Sequence, residues 1–270
     1  MRRSLAQFLQ RARRAALSTS AARPRYAARS LVASTTTIAL ALACDRTSSG
    51  GAFAAAAERP PAINLAPTPV AGVEFEQRRH DLPGAHPCTV LHLIGTGIRY
   101  KWGLVQCYAV ALYVSEKEVL DAPRSKDAAQ NDGAALLARV VTEPFDKALH
   151  LKFVRQLSAC VVADALADAF SPRLDANNAA AQAALEEFRS AVMNDSTTGE
   201  ARAAMPSGTD FTIVLRSGTR CVVAVDGVVA ADIHDATLCW AIADTYCGAA
   251  PVTHGDFASG AARLLRVPRV

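Results

Sequence analysis

The pattern of apolar residues centres on residues 88–114, which predict two long β-strands joined by a tight turn at Trp102 and Gly103. The first of these strands contains Gly95 and Gly97, which leave one of its faces without side chains. Glycine inside a strand usually marks a bulge or a close approach by another group. We therefore expect another group to lie close against the glycine face.

Arg99 and Tyr108 are the candidate chemistry of this hairpin. Arg99 lies two residues beyond Gly97, so its side chain should point to the same face as the glycines. Tyr108 lies nine residues later, among apolar residues of the returning strand. A guanidinium and a phenol on an apolar sheet could together hold the anionic end of a hydrophobic molecule. The alternative is that Arg99 ends the strand in water and Tyr108 is an ordinary core residue.

The rest of the pattern predicts short strands and helices that follow one another along the chain. Alternation of apolar and polar residues predicts a half-buried strand at 73–80 and further strands at 149–154, 211–215, 221–225 and 228–233. Helical spacing predicts helices at 158–170, 179–193, 234–246 and 256–267, while residues 134–141 fit either a helix or a strand. Strands joined by hairpin turns, with helices grouped between them, indicate an α+β domain.

Charge is distributed unevenly along the chain. Residues 1–44 contain eight arginines and no acidic residue, so the formal net charge of +4 conceals a balance of −4 over residues 45–270. A mildly acidic domain offers no basic surface for nucleic acid. The seven cysteines include no Cys-x-x-Cys pair and lie mostly in apolar segments, which is typical of reduced, buried thiols. No metal-binding, phosphate-loop or dinucleotide-binding motif is present in the sequence.

The first 71 residues predict targeting and a spacer. Residues 1–30 are rich in Arg, Ala and Ser, and their apolar residues recur at helical spacing, which is typical of a mitochondrial transit peptide. A disordered basic tail and a secretory signal are the alternatives. Residues 31–44 are hydrophobic but shorter than the ~20 residues of a membrane span. They predict a marginal inner-membrane anchor or the second half of a presequence. Residues 45–71 predict a disordered linker, which leaves residues 72–270 as the folded domain.

Several motifs resemble the chalcone isomerase superfamily, which contains plant flavonoid enzymes, plastid fatty-acid-binding proteins and fungal mitochondrial isomerase-like proteins. Gly-Thr-Gly-Ile-Arg at 95–99 and Tyr-Ala-Val-Ala-Leu-Tyr-Val at 108–114 are similar to its front hairpin. The resemblance continues in family order at 144–147, 151–158 and 244–252. It implies an open-faced sandwich, in which a large antiparallel β-sheet carries a layer of helices on one face, with a ligand cleft between the layers.

The resemblance also implies which residues form the site. Arg99 matches a strand arginine that binds substrate, whereas Tyr108 stands where the enzymes have a threonine, as in the fatty-acid-binding members. The tyrosine and asparagine of the enzymes fall at Val162 and Ala169, whose side chains form no hydrogen bonds. Thr245 matches a threonine that contacts the far end of the substrate, and Tyr246 follows it. The candidate ligand-binding residues are therefore Arg99, Tyr108, Thr245 and Tyr246, and no catalytic residue is assigned.

Three functions are open at this point. The first is a mitochondrial binding protein without isomerase turnover, which holds a hydrophobic carboxylate, either a fatty acid or haem, in an apolar cleft. Haem would need an axial ligand, and the sequence does not choose among the six histidines: His80, His86, His92, His150, His234 and His254. The second function is an intramolecular lyase of the chalcone isomerase type. The third is a structural or assembly role at the inner membrane with an empty cleft.

Overall fold

The computed structural model describes residues 70–85, 89–101, 103–115, 117–118 and 132–265. The predicted transit peptide, the hydrophobic segment and nearly all of the predicted linker lie outside these residues. Among the described helices, none has both the length and the apolar composition needed to cross a membrane.

An antiparallel sheet is the frame on which the described residues are arranged. The described strands are β1 (Arg78–Arg79), β2 (Leu91–Lys101), β3 (Val105–Ser115), β4 (Lys147–Phe153), β5 (Leu157–Ser158), β6 (Ala204–Met205), β7 (Asp210–Arg216), β8 (Arg220–Val225), β9 (Val228–Ile233) and β10 (His254–Gly255). Eight of them form one sheet in the order β1-β2-β3-β4-β7-β8-β9, with β10 also paired to β2, while β5 and β6 pair separately. The β2–β3 hairpin expected at residues 88–114 is thus confirmed.

Helices lie between the strands in sequence, as the α+β prediction requires. They are α1 (Asp132–Thr142), α2 (Ala159–Phe170), α3 (Ala179–Met193), α4 (Ala236–Cys247) and α5 (Phe257–Leu265). The segment that fitted either a helix or a strand is α1. Side-chain caps define where α3 and α4 begin. Asn178 accepts a hydrogen bond from Ala181 N at the start of α3, and Asp235 accepts one from Leu238 N at the start of α4. Ser158 precedes α2 but makes no such bond, because its hydroxyl lies 3.0 Å from the Cys160 thiol.

The helices pack on one face of the sheet and build the main core there. Inward side chains of β3, β4 and β7, such as Val110, Leu151 and Phe211, join apolar residues of the helices in a single buried cluster. The predicted large antiparallel sheet with a layer of helices on one face is confirmed. Burial of this face from water is the main stabilising contribution to the domain.

The opposite face of the sheet is covered by residues 70–85, and here the strand predicted at 73–80 is confirmed only at its end. Only Arg78 and Arg79 pair with β2. Phe75 and Leu82 instead pack on a second buried cluster of outward residues from β3, β4, β7 and β8. The segment therefore crosses the face of the sheet, where Tyr113 Oη donates a hydrogen bond to the Glu76 carbonyl at 2.9 Å.

The glycine face of β2 lies against the C-terminal end of the described chain. Gly97 pairs with Gly255 of β10, and a Cβ at Gly95 would lie 3.0 Å from the Phe257 ring and backbone. β2 also has a register shift between Leu93 and Gly95. The sequence expectation of a bulge or close approach is confirmed, and the group that approaches is β10 with the start of α5.

Candidate functional site

Arg99 and Tyr108 are direct cross-strand partners on β2 and β3. Opposite residues of an antiparallel pair project to the same face, and Tyr108 belongs to the cluster under the helices. Tyr108 is buried and Arg99 is half-buried. The two side chains therefore share one face of the sheet, and it is the face that the helices cover.

A cleft of about 570 Å³ lies between α2 and the ends of β2, β3 and β4. The strand side contributes Arg99, Tyr108 and Phe153, and the helix side contributes Val162, Leu166 and Ala169. A cleft of this size and composition, mostly apolar with a few polar groups, is typical of small-molecule sites, which span roughly 300–1,000 Å³. Arg99 and Tyr108 therefore lie where a bound molecule would meet its polar contacts.

The Arg99 guanidinium is held in place by the backbone. One terminal nitrogen donates a hydrogen bond to the Val252 carbonyl at 2.6 Å, and Val252 also lines the cleft. Within the part of the chain that the structure describes, no carboxylate lies at salt-bridge distance from Arg99. Because a guanidinium has five N–H donors, the contact with Val252 orients the group and leaves donors for an anion.

Tyr108 is held by a second phenol. Its hydroxyl lies 3.1 Å from the hydroxyl of Tyr246, which is fully buried on α4. Burial raises the pKa of Tyr108 to about 12 and raises that of Tyr246 well above its usual range. Both phenols are therefore neutral at physiological pH. When Tyr246 donates to Tyr108, the Tyr108 hydroxyl hydrogen is available to an acceptor in the cleft.

Comparison with known proteins shows the family of this chain. A family model described as chalcone isomerase-like matches residues 68–255. The chain belongs to the chalcone isomerase-like family. The crystal structure of a fatty-acid-binding protein of Arabidopsis thaliana is similar to it, with a TM-score of 0.57, 19% sequence identity, and coverage of 74% of this chain and 98% of that chain. At this level of identity the likeness concerns the fold. A search of curated proteins gave no match.

In this chalcone isomerase-like chain, the two positions that the resemblance assigned to catalytic groups both line the cleft. They are Val162 and Ala169, one turn of α2 on either side of Leu166 and Ala165. Neither side chain donates or accepts a hydrogen bond. The wall of the cleft that faces Arg99 and Tyr108 is therefore apolar at both positions.

Thr245 is a predicted site residue that does not line the cleft. Its hydroxyl donates to the Ala241 carbonyl at 2.7 Å and lies 3.3 Å from the Ala169 carbonyl. It is fully buried behind the α2 wall. Tyr246 also lies outside the cleft lining and reaches the site through Tyr108. The structure thus brings Arg99, Tyr108 and Tyr246 together and leaves Thr245 apart from them; its contact with a ligand stays a prediction.

Arg173 is a site residue that sequence reasoning missed. It lines the cleft, and its Nε donates to the Asp244 carboxylate at 2.6 Å. Further donors reach the carbonyls of Ala169 and Ala250. Its charge is therefore engaged by Asp244, whereas Arg99 has no carboxylate partner among the described residues. Arg173 and Asp244 are 71 residues apart in the chain, and no local sequence pattern predicts a contact over that separation. The sequence therefore gave no indication that Arg173 lines the cleft.

The described histidines lie away from the cleft lining. His150 is on the opposite face of the sheet, where it hydrogen bonds the Asp210 carboxylate at 2.9 Å and packs edge-on against Phe75. His254 is on β10 and contacts the Tyr100 ring at a centroid distance of 5.6 Å. The residues that form the cleft therefore do not fit a haem group held by an axial histidine.

Proposed function

We propose that this chalcone isomerase-like protein binds a long-chain fatty acid in the cleft between α2 and the sheet. The carboxylate pairs with Arg99 and accepts a hydrogen bond from Tyr108, and the hydrocarbon chain lies along Phe153, Val162 and Leu166. The observation that carries the proposal is Arg99, a half-buried cation without a carboxylate partner among the described residues, beside a neutral phenol in an apolar cleft.

The energetics suit such a ligand. Transfer of a hydrocarbon chain out of water contributes about 0.8 kcal/mol per methylene group. Hydrogen bonds to a charged group contribute about 1.5–3 kcal/mol. The similar fold of the Arabidopsis fatty-acid-binding protein supports the same class of ligand here.

Two other functions from the sequence receive less support. The cleft has no described histidine to serve as an axial ligand for haem. An intramolecular lyase would need a proton-positioning group on α2, and Val162 and Ala169 provide none. Both functions are nonetheless outcomes of the experiment that follows.

Binding of palmitate and methyl palmitate to the full chain tests the proposal. The two molecules have the same tail, so they differ only in the anionic end. We expect palmitate to bind at least tenfold more tightly than the ester, since the ester loses the charge-assisted hydrogen bonds. Mass spectrometry of the molecules that copurify is expected to find a fatty acid. Equal affinity for acid and ester would contradict the proposal, and a red protein or turnover of a chalcone would favour haem binding or the isomerase.

We also propose that the protein is mitochondrial, with residues 1–30 as its transit peptide. The support is the arginine-rich, acid-free composition of this segment. We expect removal of residues 1–30 to abolish import of the full chain into isolated mitochondria, measured by protection from added protease. Removal of a similar length from the linker, residues 45–69, is the control and should leave import intact. Undiminished import after removal of residues 1–30 would overturn the proposal.

A further inference from the structure

Two phenols meet behind the cleft, and burial decides which of them donates the hydrogen bond between them. Tyr246 on α4 is fully buried and lies outside the cleft lining, whereas Tyr108 lines the cleft. Within the described parts of the chain, the hydrogen-bond partner of the Tyr246 hydroxyl is the Tyr108 hydroxyl, at 3.1 Å. If Tyr108 donated, the hydrogen of Tyr246 would be buried without an acceptor, which is unfavourable. Tyr246 therefore donates and Tyr108 accepts.

The direction of this bond determines what Tyr108 presents to the cleft. A phenol has one hydrogen to donate, and its oxygen also accepts. Because the Tyr108 oxygen accepts from Tyr246, its own hydrogen is left for a group in the cleft. Arg99 is the cross-strand partner of Tyr108, and its guanidinium donates but never accepts. The polar end of the cleft, defined by Arg99 and Tyr108, therefore presents hydrogen-bond donors.

A polar end made of donors suits an ionised carboxylate better than the neutral head groups of other lipids. The oxygens of a carboxylate only accept hydrogen bonds. A long-chain alcohol or primary amide also carries hydrogens on its head group, and these would face the hydrogens of Arg99 and Tyr108. The Val252 carbonyl beside them already accepts from Arg99. A donor that enters the cleft without finding an acceptor is unfavourable.

We infer that Tyr246 determines head-group specificity, so that the cleft selects a carboxylate over an alcohol or an amide of the same chain length. Tyr246 is a positioning residue, because it acts on the ligand only through the hydroxyl of Tyr108. The inference rests on the proposed function and adds to it the group that sets specificity. The charge of Arg99 attracts an anion, whereas the Tyr246–Tyr108 pair disfavours head groups that need an acceptor.

Competition with a fluorescent fatty acid measures this selectivity in the full chain, with palmitate, hexadecanol and palmitamide as ligands of equal chain length. In Tyr246→Phe the Tyr108 oxygen loses its donor, so the hydroxyl can rotate and accept from a ligand. We expect the ratio of palmitate affinity to hexadecanol affinity to fall about fivefold, and the ratio to palmitamide affinity to fall similarly.

Tyr113→Phe is the matched control for this measurement. Tyr113 is also a buried tyrosine, but its hydroxyl donates to the Glu76 carbonyl on the opposite face of the sheet. Its replacement removes one hydrogen bond far from the head group, so both affinity ratios should equal those of the unsubstituted protein. An equal fall in Tyr113→Phe and Tyr246→Phe would overturn the inference.

A double-mutant comparison separates positioning from a structural role of Tyr246. If Tyr246 acts through Tyr108, Tyr246→Phe has no further effect on either ratio in protein that already carries Tyr108→Phe. A role in packing alone would lower the affinity for all three ligands in both backgrounds and leave the ratios unchanged. That outcome would contradict the inference.

Stability reports on the direction of the hydrogen bond without any ligand. Tyr108→Phe leaves the Tyr246 hydrogen buried without an acceptor, so we expect its thermal midpoint to lie about 5 °C below that of Tyr246→Phe. Addition of Tyr246→Phe to Tyr108→Phe should recover most of this loss. Equal midpoints for the two single variants would mean that the bond has no fixed direction, and the inference would then be wrong.

The proposed function and this inference fail in different ways. Equal affinity of the unsubstituted protein for palmitate and methyl palmitate contradicts the proposed function, and the inference with it. Preference for palmitate over its methyl ester, together with the same ratio of palmitate to hexadecanol affinity in Tyr246→Phe as in the unsubstituted protein, contradicts the inference alone.

Discussion

Replacement of Arg99 by glutamine is expected to weaken palmitate binding about 30-fold while affinity for methyl palmitate changes less than threefold. Hydrogen bonds to a charged group contribute about 1.5–3 kcal/mol, and 1.4 kcal/mol corresponds to a factor of ten. The ester has no negative charge for Arg99 to pair with. The difference between the two ligands therefore isolates the ion pair from any change in the shape of the cleft.

Glutamine is the informative replacement because of the second contact of Arg99. The Arg99 guanidinium also donates to the Val252 carbonyl at 2.6 Å. A glutamine amide keeps a donor for this carbonyl but removes the charge. Thermal unfolding of the variant shows whether the segment around Val252 remains in place.

Two further variants complete this measurement. Arg155→Gln removes an exposed arginine outside the cleft lining, so its palmitate affinity in solution should equal that of the unsubstituted protein. Arg99→Lys keeps the charge but lacks the planar pair of donors. Its affinity for palmitate should therefore lie between that of the unsubstituted protein and that of Arg99→Gln. If Arg99→Gln binds palmitate as tightly as the unsubstituted protein, Arg99 is not the carboxylate partner.

Replacement of Gly260 by alanine is expected to lower the free energy of unfolding by about 3 kcal/mol or more. A Cβ at this position of α5 would lie 1.6 Å from the Ile94 carbonyl oxygen and 2.8 Å from the Ile94 carbonyl carbon. Both atoms are backbone, so no side chain can rotate away to relieve the overlap. Overpacking in a core typically costs about 1–3 kcal/mol, and overlap with backbone belongs to the upper end of that range or beyond it.

The consequence should extend to the cleft. Movement of α5 away from β2 would disturb the adjoining segment that includes β10 and Val252, the residue that orients Arg99. We therefore expect weaker palmitate binding in Gly260→Ala even at temperatures where the protein is folded. Chemical denaturation with urea measures the stability, and titration with palmitate measures the binding.

Ser259→Ala is the control for this second prediction. Ser259 is the exposed neighbour of Gly260 on the same helix, and its hydroxyl hydrogen bonds the Asp256 carboxylate. Loss of this bond should lower the free energy of unfolding by about 1 kcal/mol or less. An unfolding midpoint for Gly260→Ala close to that of Ser259→Ala would show that β2 and α5 are less tightly packed than the structure has them.

The sequence by itself determined the parts of this protein that depend on local geometry. Side chains alternate between the faces of a strand, so Gly97 and Arg99 had to share a face. Helical periodicity gave α2, α3, α4 and α5 to within a few residues. Short motifs indicated the family. Through the family resemblance they also indicated Tyr246 as a candidate site residue, and Val162 and Ala169 as apolar residues at the positions of catalytic groups. These inferences use only residues that are near one another in the chain or matched to a known pattern.

Tertiary structure alone decided how the site is held together. Arg99 meets Val252 across 153 residues and Tyr108 meets Tyr246 across 138 residues. Arg173 is neutralised by Asp244, and Thr245 turns its hydroxyl to helix carbonyls. Alternation at 73–80 predicted the burial of Phe75, but it did not show that this residue packs on the face of the sheet and that only Arg78 and Arg79 pair with β2. Such contacts depend on where several elements meet at once, and the periodicity of any one segment carries no information about its distant neighbours.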